Sequence, residues 1–484
     1  MLRRWPYPNT AIARGWLSQN TRQPWLSRLR LHQLFRRPIH RTYADCEART
    51  TCRTTAKLDQ SLHARFAHGR ELASTRTGSR PPWYDKRVMN GRRTLFLTER
   101  YLPVMSGSRL YHHEVAKRLD NVVVVTRHER GDEAAFDEVV SFRIVRGWGI
   151  GRTFFPTLPR NRMVSLMTEY LPGAGAMMFW SLAAAIRFQP VTIHAGDGLF
   201  AGMAARLVGS LWRIPYVVYA HGEDVSGFEQ RSSLFSGIMK RIFMGASAVV
   251  CNSRNTADMV MHLGIPTERI VVAYPGVDTA RFGVLPQAAD GAASSPGPVL
   301  LSVGYLIRQK GHETTIRALP QLVKEWPSLR YLIVGDGPEK SRLESLAVEL
   351  GVAANVRFLG RVPETQLLEA YRAADVFVQP SVVVDGVTEG YGIAFVEAGA
   401  AGLPVIGGRC GGVVEAVVDG VTGLLVTPGD ESDFSRAVSL LLRDDDLRRR
   451  MGEAGWRLAQ ERTWNRTLIP VVKLDRTLRS RELP

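Results

Sequence analysis

The stretch Val376–Gly407 reads VFVQPSVVVDGVTEGYGIAFVEAGAAGLPVIG. A short apolar run ends at Pro380-Ser381, a loop continues through Thr388, a helical pattern starts near Ile393, and a second apolar run opens at Val405. Short, nearly continuous apolar strands separated by helices belong to parallel sheets covered on both faces. The stretch therefore reads as one strand–helix–strand unit of an α/β fold. Glu389 and Glu397 stand in it with seven residues between them. A carboxylate among Ala, Phe, Val and Gly is costly to bury without partners. Ligand hydroxyls would be such partners; the plainer alternative sends Glu397 to solvent and leaves Glu389 as a loop or cap residue. Gly390 and Gly392 allow a close backbone approach, and the helix start at Ile393 offers free N–H groups to an anion.

The same alternation runs through most of the chain. Candidate strands lie at 94–98, 122–126, 191–194, 216–219, 248–251 and 270–273, and a second series at 299–303, 331–334, 357–359, 376–379, 405–407 and 424–426. Helical patterns separate them, as at 313–325, 340–350 and 364–374. Between the series lies VLPQAADGAASSPGP, residues 284–298, with the composition of a linker. Two series imply two doubly wound, Rossmann-like domains, 89–283 and 299–463, facing a central cleft. Ligands in such folds sit beyond the carboxyl ends of the strands.

Several side chains fall at such ends. Arg308 and Lys310 follow strand 299–303 just before a helix, which suits a diphosphate, although two solvated loop charges read as well. Ser106-Gly107-Ser108 precedes the helical pattern 109–119, a weaker anion cradle. His221 closes strand 216–219 in YVVYAHGEDV, where it could donate to a substrate hydroxyl, stabilise charge, or make only a structural hydrogen bond. Glu223 and Asp224 read as cap or rim residues.

Composition removes other classes. The net charge of +17 is concentrated in residues 1–93, with 20 Lys and Arg against 5 Asp and Glu, while the other 391 residues carry 43 against 41. The globular part gives no reason to expect nucleic acid. Residues 1–88 form a basic extension. It reads as a disordered tail, as a membrane-surface segment through Trp25–Arg37 (WLSRLRLHQLFRR), or as a transit peptide; alternatively Met89 is the start. The four cysteines, Cys46, Cys52, Cys251 and Cys410, show neither metal-ligand nor disulfide spacing, so no metal site is expected. Gly173–Ile186 (GAGAMMFWSLAAAI) is shorter than the ~18 apolar residues a spanning helix needs, and reads as a buried or interfacial helix.

Nine pieces, in order, resemble glycosyltransferase family 4: SGSRLYHHEVAKRL, YAHGED, VVCNSRNTADMV, PGVDTARF, SVGYLIRQKGHE, YLIVGDGPEKSRLE, VRFLGRVPETQLLEAYRAADVFVQPS, EGYGIAFVEAGAAGLPVI and DGVTGLLVTPGD. The likeness covers about residues 94–465. It implies the GT-B fold and transfer of a hexose from a UDP- or GDP-linked sugar to a hydroxyl, with retention of configuration. No cofactor or metal is implied. By the same resemblance Glu389 binds donor-sugar hydroxyls near the reacting face and Glu397 holds the ribose. Backbone N–H groups of Gly390, Tyr391, Gly392 and Ile393 support sugar and phosphate, Lys310 neutralises the diphosphate, and Gly107 lets the first domain approach it. His221 is the histidine beside the sugar, and the base lies near Arg361 and Val362.

Two positions depart from the family. Tyr305 stands where the family often has an arginine, with Arg308 a candidate to compensate, and Ser106 replaces the first glycine of the N-terminal loop. Residues 464–484 are expected to form a helix returning to the first domain, kinked at Pro470. The acceptor expected is a cell-envelope polysaccharide or lipid-linked glycan precursor. The enzyme would be cytoplasmic, with peripheral contact to anionic membrane at the inner face. The competing functions are a catalytically silent nucleotide-sugar-binding protein of the same fold and another GT-B enzyme, such as a sugar-nucleotide epimerase.

Overall fold

In the computed structural model of the protein, the residues described are 91–129, 132–148, 171–229, 233–282 and 297–480. The expectations for residues 1–88, for Met89 and for nearly all of the 284–298 linker lie outside them.

Thirteen strands are present among the described residues, in two wholly parallel sheets. The first comprises β1 (Arg93–Leu97), β2 (Val122–Arg127), β3 (Arg143–Gly147), β4 (Pro190–Ala195), β5 (Tyr216–Ala220), β6 (Ala248–Cys251) and β7 (Ile270–Val272). Their spatial order is β3-β2-β1-β4-β5-β6-β7. The second comprises β8 (Val299–Val303), β9 (Arg330–Val334), β10 (Val356–Gly360), β11 (Val376–Gln379), β12 (Val405–Gly408) and β13 (Gly423–Val426), in the order β10-β9-β8-β11-β12-β13. Each order reverses direction once, between β1 and β4 and between β8 and β11. At such a point the connections leave to opposite sides, and a crevice opens beyond the carboxyl ends of the two strands. The fold is the expected two-domain Rossmann-like α/β architecture.

The central strands explain why both sheets form. β5 and β6 are buried at every position, as are β11 and β12, so neither face can be left to water. The edge strand β3 escaped the sequence reading. Its RIVRG mixes two arginines into a half-buried pattern, and it pairs only with β2. Arg146 is nonetheless fixed, bidentate to Asp137 at 2.7 and 2.8 Å. The segment read as a buried or interfacial helix is the helix Leu171–Phe188. It turns Met177, Ala184, Ala185 and Phe188 into the first core and leaves Phe179 and Ile186 exposed. Among the described residues no helix is long and apolar enough to cross a membrane.

The C-terminal return does not kink at Pro470. The helix Trp464–Thr467 ends at Leu468, and a new helix, Ile469–Ser480, takes Pro470 into its first turn, where its missing N–H is not needed. Trp464, Leu468, Val471 and Leu478 pack on the first sheet with Phe96, Val124, Val217 and Tyr219. Asp475 pins this contact. Its Oδ1 accepts from Thr94 Oγ1 at 3.0 Å and Thr192 Oγ1 at 2.9 Å, and lies 3.2 Å from His194 Nε2. Its Oδ2 lies 3.6 Å from the buried Arg479, which also donates to the carbonyls of Arg92 and Asp120.

Burial works against the Asp475 charge, but the hydrogen bond and charge of His194, then Arg479, outweigh it and hold the carboxyl below its ordinary value. A lowered folded value means that the contribution is present above the ordinary carboxylate range and is lost as pH falls through the lowered value. Replacing Asp475 by Asn keeps the shape and strands the Arg479 charge. Chemical denaturation should show a loss of about 3–5 kcal/mol, and a loss under ~1 kcal/mol would mean the pair does not hold the return helix.

Candidate active site

The site begins where β11 stops. Gln379, the last residue of β11, is fully buried. The chain then runs out over Pro380-Ser381 and comes back at Glu389, ahead of the helix Ile393–Ala400. Gly392 caps that helix with φ 84°, a left-handed conformation that other residues rarely adopt, and a Cβ there would press on the Phe395 ring. The turn is held from behind, since the Glu389 carbonyl accepts from Gly412 N at 2.9 Å.

The loop after β8 supplies the partner. Lys310 closes the short turn Arg308–Lys310, and its Nζ donates to Glu389 Oε2 at 2.5 Å. Gln379 Nε2 reaches the same oxygen at 3.3 Å, while its Oε1 accepts nothing from a described residue. Lys310 and Glu389 thus face each other across the β8/β11 crevice, with side chains only 17% and 12% exposed. Glu397 lies deeper along the helix. Tyr371 OH donates to its Oε2 at 3.0 Å. Burial pushes the Glu397 carboxyl up, while the Arg281 charge and the Tyr371 hydrogen bond pull it down. It is therefore a partly buried acceptor with a single side-chain hydroxyl donor among the described residues.

The first sheet meets this surface at two close approaches. A Cβ on Gly390 would lie 2.1 Å from the His221 carbonyl, so only glycine fits there. A Cβ on Gly107 would stand 3.5 Å from Ile393 Cδ1. The first turns of the helices Gly107–Ala116 and Ile393–Ala400 therefore adjoin, one from each sheet. Each end carries orphan N–H groups and a partial positive charge. Ser106, the glycine replacement, is the N-cap of the first of them. His221, beyond β5, is partly buried, and its backbone N–H donates to Asp224 Oδ1 at 2.8 Å. Its imidazole lies 2.9 Å from His112, a residue the sequence reading passed over. Burial lowers its basicity, opposed by the charge of Asp224.

The structure does not gather every expected residue here. Arg308 is exposed and makes no hydrogen bond to Glu389, Lys310 or Gln379, and Tyr305 is 54% exposed. Tyr391 turns its side chain into the core, against Tyr274 and hydrogen-bonded by Arg462, so only its backbone is left for a ligand. Val362, just beyond β10, packs on the core that also holds Tyr371 and Phe395, and only β9 lies between its strand and β8. Cys410 lies close by, and its thiol is pushed up to about 11 by burial and by the Glu389 charge, so it is no nucleophile.

Sequence reasoning also missed Gln379 and Glu415. The first carried a faint signal, a lone amide ending an apolar strand; the second carried none. Glu415 comes from the second sheet's side and caps the helix Arg254–His262 of the first. Its two oxygens accept from Arg254 N at 2.8 Å and Asn255 N at 2.9 Å, and Tyr274 OH adds a third bond at 2.9 Å. Ser253 satisfies Thr256 N with its side chain, and its carbonyl accepts the first intrahelical bond from Ala257 N, so the three first-turn N–H groups of Arg254, Asn255 and Thr256 are all paired.

Comparisons with known proteins identify the family. The family described as Glycosyltransferase Family 4 matches residues 110–281, and that described as Glycosyl transferases group 1 matches residues 287–457. A D-inositol 3-phosphate glycosyltransferase of Corynebacterium efficiens is 31% identical over 333 residues, covering 64% of this chain and 76% of that protein. The chain belongs to glycosyltransferase family 4. A GDP-mannose-dependent alpha-(1-6)-phosphatidylinositol monomannoside mannosyltransferase of Mycolicibacterium smegmatis is 36% identical, but the match spans 45% of this chain and 58% of that enzyme. Among solved structures, Anabaena HepE in complex with UDP and glucose superposes with a TM-score of 0.65 at 21% identity, over 80% of this chain and 100% of that one. At that identity the likeness speaks for the fold.

Replacing Glu415 by Ala should uncap the helix Arg254–His262. Hydrogen exchange at the amides of Arg254 and Asn255 should quicken about tenfold or more, as expected for the loss of charge-assisted hydrogen bonds. Unchanged exchange would mean that the carboxylate does not tie the two halves together.

Proposed function

We propose that the chain transfers a hexose from a nucleoside-diphosphate sugar to a hydroxyl acceptor, with retention of configuration. The observation that carries this reading is the Lys310–Glu389 pair across the β8/β11 crevice, facing the adjoining first turns of the two helices. A diphosphate placed there would meet one lysine and two helix ends, which stabilise the charge that develops on the leaving group. Glu389, once Lys310 turns to the phosphates, is free to accept from sugar hydroxyls. Glu397, with Tyr371 on one oxygen, suits a ribose diol. Lys310 and the backbone supply the positive charge, so the reading calls for no metal ion and no cofactor. Arg308, exposed beside Lys310, is available to a β-phosphate in place of the arginine that Tyr305 supplants. Retention is supported by family membership, and the acceptor hydroxyl would attack on the leaving-group side, close to His221.

The relatives' names favour a GDP-linked mannose donor and inositol-containing acceptors, free or on a lipid. A lipid-linked or cell-envelope glycan precursor is accordingly the acceptor class we propose. Nucleotide sugars are cytoplasmic, so the reaction would take place there, at the inner membrane face for a lipid acceptor.

Calorimetric titration with GDP, UDP and their sugar conjugates tests the donor. Lys310→Ala should weaken nucleotide binding about 10- to 100-fold, the scale of a lost charge-assisted hydrogen bond. Glu389→Gln should abolish transfer and leave nucleotide affinity within about threefold. Retained turnover in Glu389→Gln would remove the role assigned to it, and no nucleotide binding by the folded wild type would favour a silent protein of the same fold. The anomeric configuration of the first product, read by NMR, decides retention.

A further inference from the structure

The polar chain behind His221 assigns more than contacts, because it fixes where the protons lie. Thr98, just past β1, has a single hydroxyl proton, and it donates that proton to the Arg100 carbonyl at 3.0 Å. Toward His112 Nδ1, 3.2 Å away, the same oxygen can only accept. His112 Nδ1 therefore carries a hydrogen. The His112 ring is buried among Phe96, Tyr111 and Tyr219, and burial, then the neighbouring His221, holds its basicity well below the ordinary value against an opposing interaction with the Gly196 carbonyl, so it is uncharged near neutral pH. Its Nε2 is then a bare lone pair.

His221 Nε2 lies 2.9 Å from that lone pair and 3.2 Å from the Gly196 carbonyl, which can only accept. Both neighbours require the hydrogen of His221 to sit on Nε2. Gly196 is a necessary part of the cradle, since a Cβ there would come within 2.9 Å of the His112 ring. With its one proton spent inside the protein, neutral His221 has only Nδ1 left, and Nδ1 has no donor among the described residues.

We propose that His112 is a positioning residue that holds His221 in the Nε2–H tautomer, so that His221 meets a substrate hydroxyl as a hydrogen-bond acceptor. The substrate clause rests on the functional reading above; the tautomer does not. It reverses the donor role that the sequence suggested for His221. The groups facing the pair are Thr98 from the end of β1, Arg109 and Tyr111 from the helix Gly107–Ala116, Gly196 from beyond β4, Tyr219 from β5, and Asp224 from the helix Glu223–Glu229.

The test uses the full chain with 15N-labelled histidine and long-range 1H–15N correlation. The wild type should show His221 protonated at Nε2 and His112 at Nδ1. In His112→Phe, which keeps the aromatic packing, His221 should become a mixture of tautomers. The kcat should fall about tenfold with the donor KM changed less than about twofold. His112→Gln, whose amide oxygen can accept from His221, should restore most of the kcat. Should the Phe variant not fold, the wild-type and Gln spectra decide the matter. His221 protonated at Nδ1 in the wild type, or unchanged tautomer and kcat in a folded Phe variant, overturns the proposal. A wild type with the expected tautomers but no turnover on any nucleotide sugar overturns its substrate clause and the functional reading, and leaves the tautomer standing.

Discussion

Everything in the cleft depends on how closely two backbones approach. Gly390 lies against the His221 carbonyl, and Gly222 against Gly390 in return, where an added Cβ would be 3.0 Å from Gly390 Cα. No side chain separates the halves at this point. The approach places Glu389 and His221 on adjoining walls of one site, and it sets the first turns of the helices Gly107–Ala116 and Ile393–Ala400 beside each other. One helix end offers a partial positive charge that solvent screens readily. Two ends beside a lysine in a half-closed crevice form a field that water does not easily replace.

Backbones do not hold such a distance by themselves, and three devices keep it. Glu415 reaches across to cap a helix of the other half. Arg462 lies 4.9 Å from the centre of the Tyr274 ring and hydrogen-bonds Tyr391, so that residues from both sides of the boundary and from the return segment meet in one stack. The return helix then anchors on the first sheet through Asp475 and Arg479. The third is a charged contact shielded from water, strong when intact and costly when one partner is lost, while the first sets a half-exposed carboxylate on helix N–H groups. A site between two halves needs contacts of this kind, because scattered surface ion pairs contribute too little to fix an orientation.

The fold was legible because parallel strands advertise themselves. VVVVT, YVVYA and VFVQ are short, apolar and bounded, and the second sheet's strands fell within a residue of their expected limits. β3 was not legible, because an edge strand needs only one covered side and can carry Arg143 and Arg146. Lys310 and Glu389 were each legible as loop residues beyond a strand and ahead of a helix, but their pairing was not. Gln379 sat unnoticed at the end of one of those strands. His112 and Glu415 could not be read, since their meaning comes from partners 109 and 160 residues away in the chain. The resemblance gave Tyr391 only a backbone role; that its ring packs at the boundary against Tyr274 and Arg462 could not be read from its glycine neighbours.

The Lys310–Glu389 pair also bears on how two charges are accommodated in a crevice with so little exposure. An unpaired ammonium or carboxylate in a crevice with so little exposure would pull in water or shift the loops that carry it. Paired with each other, the two groups satisfy themselves without distorting either loop. A diphosphate carries more negative charge than a single carboxylate and binds lysine the more strongly for it. On the proposed reading its arrival exchanges one anion for another at Lys310 and releases Glu389 at the moment sugar hydroxyls are there to receive it. Gln379 is bonded through its amide nitrogen to the same carboxylate oxygen and gives Glu389 a second partner inside the crevice. On that reading the pairing would couple donor binding to the readiness of the carboxylate.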